Sequence, residues 1–200
     1  MQAKWILSVF TIALLTGCID HTKYAPKTEE QIEQESQDRT ASLMRKEGST
    51  QSEIDAFIAR SKLSDGEKLK SRISEWSTPA ENLVSLIDGG VFYCDLQRKS
   101  LMLQISYEHS QRTRRKLVEC ISTTSKVINT YYYGSYVSAP SSDEVKSAAD
   151  ESYIKWNAYK TTIFQNSPSA IQEQASLTVK DQVTKSEQIF LREALKKNKK

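Results

Sequence analysis

Helix-start signals recur along this chain, each just before apolar residues with helical spacing. In three of them a Ser or Thr is followed three residues later by Glu, the capping-box pattern that satisfies the first amides of a helix. These pairs are Thr50 with Glu53, Ser64 with Glu67, and Ser141 with Glu144. A fourth signal, Thr78-Pro79-Ala80-Glu81, adds Pro at the first helical position. With only six Gly and four Pro in 200 residues, the chain favours helix over a β-sandwich or a Gly-rich nucleotide-binding fold.

The apolar pattern predicts a mainly α protein, an irregular helical bundle with a long C-terminal helical hairpin. Asn166-Ser167-Pro168 is expected to end the first arm of that hairpin and to start the second. Asp88-Gly89-Gly90 is expected to end the helix that starts at Thr78. Trp76 and Trp156 lie at helical spacing and are interpreted as core residues.

Two segments stay open between strand, loop and helix. Residues 101–107 alternate apolar and polar positions as a half-buried strand does, although the apolar residues of 91–110 also fit one helical face. We prefer the helix there. The tyrosine-rich segment near residues 131–138 is interpreted as a loop or a short strand that divides the chain into two halves.

The N-terminus carries the pattern of an export signal. Lys4 precedes an apolar run, residues 5–15, that is too short to span a hydrocarbon layer of ~30 Å. The residues that follow, Leu15-Thr16-Gly17-Cys18, resemble the lipobox of bacterial lipoproteins. The resemblance implies that residues 1–17 are a signal peptide and that Cys18 is lipidated and becomes the first residue of the mature protein.

The same resemblance implies a membrane anchor. Three acyl chains, at about 0.8 kcal/mol for each buried CH₂ group, would hold the chain firmly in a bilayer. The sorting rule of enterobacterial lipoproteins retains a chain in the inner membrane when Asp directly follows the lipidated Cys. Here Ile19 follows Cys18, and Asp20 comes one position later. We therefore expect an outer-membrane anchor with the protein on the periplasmic face.

The mature chain is expected to have three parts. Residues 18–27 form a lipidated tether with Pro26 and no apolar periodicity. Residues 28–48 begin with a capping pattern at Thr28 and Gln31 but contain few apolar residues, which predicts a polar helical stalk. Residues 49–200 form the helical periplasmic domain.

Charge and cysteine use fit an exported protein. Removal of residues 1–17 takes away one Lys and no acidic residue, so the formal charge falls from +3 to +2. This near-neutral charge gives no support for nucleic-acid binding. Cys94 and Cys120 remain as a pair in an oxidising compartment and are expected to form one intramolecular disulfide.

The disulfide requires the chain to reverse direction. In one straight helix the two Cα atoms would lie about 39 Å apart, whereas a disulfide needs less than about 7 Å. The polar stretch Glu108-His109-Ser110-Gln111 is the expected turn.

The sequence contains no nucleophile elbow, dinucleotide-binding loop, phosphate loop, Cys-x-x-Cys or zinc-protease motif. Only two histidines occur, His21 and His109. A metal site joining His109 to Cys94 or Cys120 would lack paired-ligand spacing. The sequence thus predicts no catalytic residue, no metal, no cofactor and no small-molecule substrate.

Two surface features are candidates for binding a partner. The first is the basic cluster Arg112, Arg114, Arg115 and Lys116, which could contact lipid phosphates, lipopolysaccharide or an acidic protein surface. Its alternative is the solvated face of a helix. The second is the tyrosine set Tyr131, Tyr132, Tyr133 and Tyr136, which could form a protein interface. Its alternative is core packing.

The sequence therefore favours a non-catalytic lipoprotein that docks another envelope protein as an assembly factor of a secretion, pilus or cell-wall machine. An exclusion or inhibitor lipoprotein that blocks phage, plasmid or lysozyme is the main alternative. An envelope enzyme is the less favoured class, because the expected catalytic groups are missing.

Overall fold

The computed structural model describes residues 27–104 and 106–197. Within them the chain forms seven α-helices, one π-helical turn and no strand, which confirms the predicted mainly α fold. The helices are α1 (Glu29–Lys46), α2 (Gln51–Ser61), α3 (Asp65–Lys70), α4 (Pro79–Met102), α5 (Tyr107–Tyr131), α6 (Asp143–Phe164) and α7 (Ser169–Lys197), and the π-helical turn is Tyr132–Tyr136.

The chain divides into two compact units, residues 1–58 and 59–200. The described part of the first unit holds α1 and most of α2. Both helices start at the predicted caps: the Thr28 side chain accepts a hydrogen bond from the Gln31 amide, and Thr50 pairs with Glu53 in the same way. The predicted signal peptide, Cys18 and nearly all of the predicted tether lie outside the described residues.

The second unit is a bundle in which α4, α5, α6 and α7 run alternately up and down. Contacts between the helices establish the directions. Ser152 on α6 meets Ser186 on α7 with 2.9 Å between their hydroxyl oxygens, and Glu144 at the start of α6 pairs with Arg192 near the end of α7. The long C-terminal hairpin is thereby confirmed, and α7 alone is about 43 Å long.

The alternating order gives the bundle two distinct ends. We call the first the tyrosine end: it combines the starts of α4 and α6 with the ends of α5 and α7. We call the second the arginine end: it combines the ends of α4 and α6 with the starts of α5 and α7. The π-helical turn lies at the tyrosine end, and the α4–α5 and α6–α7 connections lie at the arginine end.

Helix α4 does not stop at Gly89 and Gly90, contrary to the sequence prediction, but continues to Met102. The two glycines are sites of close packing. A Cβ atom at Gly89 would lie 2.6 Å from Cδ of Arg72, and one at Gly90 would lie 3.2 Å from the ring of Trp156. Because each glycine lets another element approach the helix, the pair serves packing and not termination.

Trp76 is not a core residue, contrary to the prediction, whereas Trp156 is fully buried as expected. The spacing of Leu69 and Trp76 would place them on one helical face only if the helix continued through Trp76. Helix α3 ends at Lys70, so it includes Leu69 but not Trp76. Leu69 is buried and Trp76 projects from the loop that leads to α4. Helix α6 also starts one residue later than predicted, since Ser142 and not Ser141 caps it.

The predicted disulfide joins Cys94 of α4 to Cys120 of α5, with the two Cα atoms 5.5 Å apart. The chain reversal that it requires is present, but it lies between the end of α4 at Met102 and the start of α5 at Tyr107, and not at Glu108–Gln111. Ser106 accounts for the difference. Its side chain accepts a hydrogen bond from the His109 amide, so that α5 already begins at Tyr107. Of the two open segments, the first is helix to Met102 followed by this turn, and the second contains the π-helical turn.

A buried ion network fastens α4 to α7. Arg98, only 1% exposed, donates from Nε to Asp95 and from Nη2 to Glu173. Lys180 donates to the second Asp95 oxygen at 2.9 Å. Burial alone would raise the pKa of Asp95, but the hydrogen bonds from Lys180 and Arg98 outweigh it and lower that pKa to about 2. Asp95 is therefore a carboxylate at neutral pH, and both of its oxygens are paired.

Candidate docking site at the tyrosine end

Trp76 is 97% exposed, the highest exposure among the large apolar side chains that the structure describes. The loop that presents it is held by one buried amide, Asn82 of α4. The Asn82 Oδ1 atom accepts from the Ser74 amide at 2.8 Å, and its Nδ2 donates to the Ser74 carbonyl at 2.9 Å and to the Ser77 carbonyl at 3.3 Å. These bonds fix the backbone on both sides of Trp76, so the indole is presented by an ordered loop.

Two cavities flank this loop. The first, of about 280 Å³, lies between the starts of α4 and α6 and the end of α7. Its lining is largely apolar and includes Pro79, Tyr136, Pro140, Val145 and Phe190. The second, of about 500 Å³, lies between α3 and the end of α5, and Ile73 and Tyr131 are among its lining residues. The Trp76 loop thus borders both cavities: Thr78 lines the first cavity and Ile73 lines the second.

Two of the four predicted partner-binding tyrosines pack inward against α6. The ring of Tyr132 stacks on the ring of Tyr153 with centroids 3.8 Å apart, and its hydroxyl donates to Asp150. Burial, reinforced by the Asp150 carboxylate, raises the pKa of Tyr132 to about 12, which keeps this hydroxyl protonated as a donor. Tyr136 is buried and donates to the Lys146 carbonyl at 2.9 Å.

The other two tyrosines differ in exposure. Tyr131 is half-buried against the core, whereas Tyr133 is 70% exposed. The π-helical turn produces this division, because it continues the end of α5 while it aims Tyr132 and Tyr136 toward α6. Tyr133 is therefore the member of the set whose ring faces solvent at the tyrosine end.

The basic cluster lies far from these tyrosines. Arg112 and Arg114 are half-buried, and Arg115 and Lys116 are exposed, all in the first half of α5. Arg114 and Tyr131 belong to the same helix and are separated along its axis by about 26 Å. The structure thus places the two predicted patches at opposite ends of the bundle, and it does not join them into one surface.

The described residues show no grouping that would hold a metal ion, which needs three or more His, Cys, Asp or Glu side chains close together. The Nδ1 atom of His109 lies 2.6 Å from the Ser106 hydroxyl, but this hydroxyl also caps α5. Among the described helices none is both long and apolar enough to cross a membrane.

Comparisons of this chain with protein-family models, with curated proteins and with solved structures gave no match. The candidate site therefore depends on its own geometry. The sequence pattern assigned its main residue, Trp76, to the core and did not predict its exposure. The one local signal was the cluster of polar residues around it, Ser74, Glu75, Ser77 and Thr78, which is more typical of a loop than of a buried helix face.

Proposed function

We propose that this protein is a lipid-anchored, non-catalytic docking protein that binds another envelope protein through its tyrosine end. The observation that carries the proposal is the ordered presentation of Trp76. A fully exposed indole is a large apolar surface left in water, and tryptophan is enriched among the residues that dominate protein interfaces. An ordered loop loses little conformational entropy on binding, which favours affinity.

The surroundings of Trp76 fit a protein partner. The first cavity offers an apolar recess in which a partner side chain can be buried, while Tyr133 adds a rigid aromatic ring on the same end of the bundle. Aromatic side chains beside apolar recesses are the usual anchors of protein interfaces. The partner surface that fits is therefore apolar at its centre, with at least one aliphatic or aromatic side chain that enters the recess.

The membrane anchor of this proposal comes from the lipobox residues 15–18. Acylation of Cys18 would keep the docking protein on the periplasmic face of the outer membrane. Metabolic labelling with palmitate tests this part: wild-type protein should carry the label and fractionate with outer membranes, and Cys18→Ala should give unlabelled precursor. An unlabelled, fully soluble wild-type protein would contradict it.

The docking surface is tested by affinity capture from detergent-solubilised envelopes with matched variants. We expect Trp76→Ala, alone and together with Tyr133→Ala, to lose a partner that the wild-type protein retains. Tyr107→Ala is the control, because Tyr107 is 77% exposed but lies at the arginine end. Circular dichroism verifies that each variant is folded.

The outcomes separate the classes of function. Loss of the same partner from the Trp76 variants but not from Tyr107→Ala supports docking at the tyrosine end. Equal retention by all variants contradicts it. The identity of the retained partner distinguishes an assembly factor from an exclusion or inhibitor lipoprotein, and hydrolysis of an envelope substrate by purified protein would overturn the non-catalytic class.

A further inference from the structure

We infer that the arginine end is a second binding surface, and that it docks onto an anionic phospholipid bilayer. The inference goes beyond the proposed function and does not depend on it, since it concerns the opposite end of the bundle. Three observations carry it: exposed apolar side chains at the turns of this end, arginines beside them that form no ion pair with an acidic side chain of the described residues, and a buried arginine that links the turns.

The first observation is the exposure of apolar side chains at both turns. At the α4–α5 turn, Leu103 is 79% exposed, Tyr107 is 77% exposed and Met102 is also exposed. At the α6–α7 turn, Phe164 and Ile171 are exposed as well. Because both turns lie at the arginine end, five large apolar side chains face solvent from a single end of the bundle. Such side chains gain free energy when they enter the apolar part of a bilayer interface.

The second observation is the charge beside the α4–α5 turn. No acidic side chain among the described residues forms an ion pair with Arg112, Arg114 or Arg115. Two acidic residues, Glu108 and Glu119, lie on the same stretch of α5, and the four cations from Arg112 to Lys116 outnumber them. The guanidinium groups can therefore pair with lipid phosphates, which accept their hydrogen bonds in a bidentate manner.

The third observation is that Arg98 ties the two turns together. Its Nη1 lies 3.6 Å from the Met102 sulfur at the end of α4, while its Nη2 donates to Glu173 near the start of α7. The guanidinium is almost completely buried and also bonds to Asp95. Arg98 therefore holds the two apolar turns next to each other. This arrangement suits a surface that contacts a flat bilayer.

The combination favours lipid over protein as the partner. The apolar side chains are exposed at two turns, and none of them lines either of the two cavities described above, so they suit insertion into a soft interface. The arginines lie behind them along α5, at the depth where headgroup phosphates would stand. Apolar contact and attraction between cations and anionic lipids act together in interfacial binding.

Tryptophan fluorescence in vesicles with brominated acyl chains tests the inference, because bromine quenches only an indole that enters the hydrocarbon. The purified full chain, as cells produce it, is reconstituted with vesicles containing phosphatidylglycerol. The variant Tyr107→Trp is combined with Trp76→Phe, so that the exposed indole moves from the tyrosine end to the arginine end. We expect strong quenching in this variant and little quenching of native Trp76.

The dependence of vesicle docking on protein and lipid charge is the second part of the test. Adding Arg114→Gln and Arg115→Gln should weaken docking about thirtyfold, and vesicles of phosphatidylcholine alone should give little quenching. Inorganic phosphate without vesicles should leave the emission of the introduced tryptophan unchanged, which separates a bilayer from a free phosphate.

Clear results would overturn the inference. Absence of quenching in anionic vesicles for both Tyr107→Trp and Leu103→Trp would do so, as would stronger quenching of native Trp76. Retention of a soluble acidic protein that depends on Arg114 and Arg115, without any bilayer effect, would assign this end to a protein instead. Capture of a partner through Trp76 is measured separately, in detergent and without a bilayer, so the two proposals can fail separately.

Discussion

The indole of Trp156 lies against Gly90 of α4 so closely that a Cβ atom at position 90 would be 3.2 Å from the ring. The same Cβ atom would also be 3.0 Å from Cδ1 of Ile128. Side chains of α5 and α6 therefore both pack directly against the Gly90 position of α4. This contact makes the core sensitive to the smallest enlargement of one residue.

Gly90→Ala should lower the free energy of unfolding by about 1 kcal/mol. Overpacking of a core costs about 1–3 kcal/mol, while replacement of a helical Gly by Ala returns up to about 1 kcal/mol. Gly134→Ala is the matched control, since a Cβ atom there would meet nothing within 4 Å, and it should be neutral or stabilise slightly. Urea unfolding measures both. A Gly90 variant as stable as Gly134→Ala would show that the ring shifts without cost.

Removal of the disulfide should destabilise the bundle substantially. Cys94 and Cys120 are separated by 26 residues, and closing a loop of this length contributes about 3.5 kcal/mol in the chain-entropy model. We expect Cys94→Ala with Cys120→Ala to lower the free energy of unfolding by that amount, and wild-type protein in reductant to behave alike. Peptide mapping by mass spectrometry checks the pairing, and free thiols at both positions would contradict it.

Two buried tyrosines should respond in opposite directions to loss of their hydroxyl groups. The Tyr159 hydroxyl is buried without a hydrogen-bond partner among the described residues, whereas Tyr136 donates to the Lys146 carbonyl. Tyr159→Phe removes an unsatisfied polar group and should raise stability by about 1 kcal/mol. Tyr136→Phe removes a hydrogen bond and should lower stability by about 1 kcal/mol. Thermal unfolding of the two variants measures both changes. Destabilisation by Tyr159→Phe would contradict the prediction and show that the Tyr159 hydroxyl has a hydrogen-bond partner.

Stability should fall in acid because of Asp95. The pKa of Asp95 in the folded protein is about 2, below its ordinary value of 3.8. A group whose pKa is lowered by folding stabilises the fold above its unfolded pKa, so this contribution is complete above about pH 4 and is lost toward pH 2. The size is about 2 kcal/mol.

The comparison with Asp95→Asn isolates this effect from other carboxyl groups. At neutral pH the substitution should cost about 3–5 kcal/mol, because it leaves Arg98 buried with one anionic partner fewer. The difference between wild-type and variant unfolding free energies should then shrink by about 2 kcal/mol between pH 5 and pH 2. A difference that stays constant with pH would rule out a lowered pKa of Asp95.

The features that the sequence predicted correctly are local or covalent. The capping boxes at Thr78 and Ser64 depend on residues three positions apart, so their patterns predict the observed hydrogen bonds. The pairing of Cys94 with Cys120 followed from setting Cys18 aside as the predicted lipidation site, and it required a chain reversal. In each case the information lies within a short segment or within a fixed bond geometry.

The features that the sequence missed depend on tertiary contacts. Whether Gly90 ends a helix or admits a neighbour is decided by Trp156, which lies 66 positions later in the chain. Trp76 lies outside the core because α3 is short and because the Asn82 side chain forms hydrogen bonds with the backbone of Ser74, eight positions earlier. Periodicity contains neither contact, and so the main residue of the candidate site was assigned to the core.

The alternating order of the helices also has a consequence for the sequence of folding events. The disulfide closes within one helical hairpin, α4 with α5, while the pairs of Arg98 with Glu173 and of Lys180 with Asp95 span 75 and 85 residues. Contacts between distant residues carry a higher loop-closure entropy and tend to form later. We expect oxidation of the first hairpin to precede docking of the second. A chain truncated after residue 138 that formed no Cys94–Cys120 bond under oxidising conditions would contradict this order.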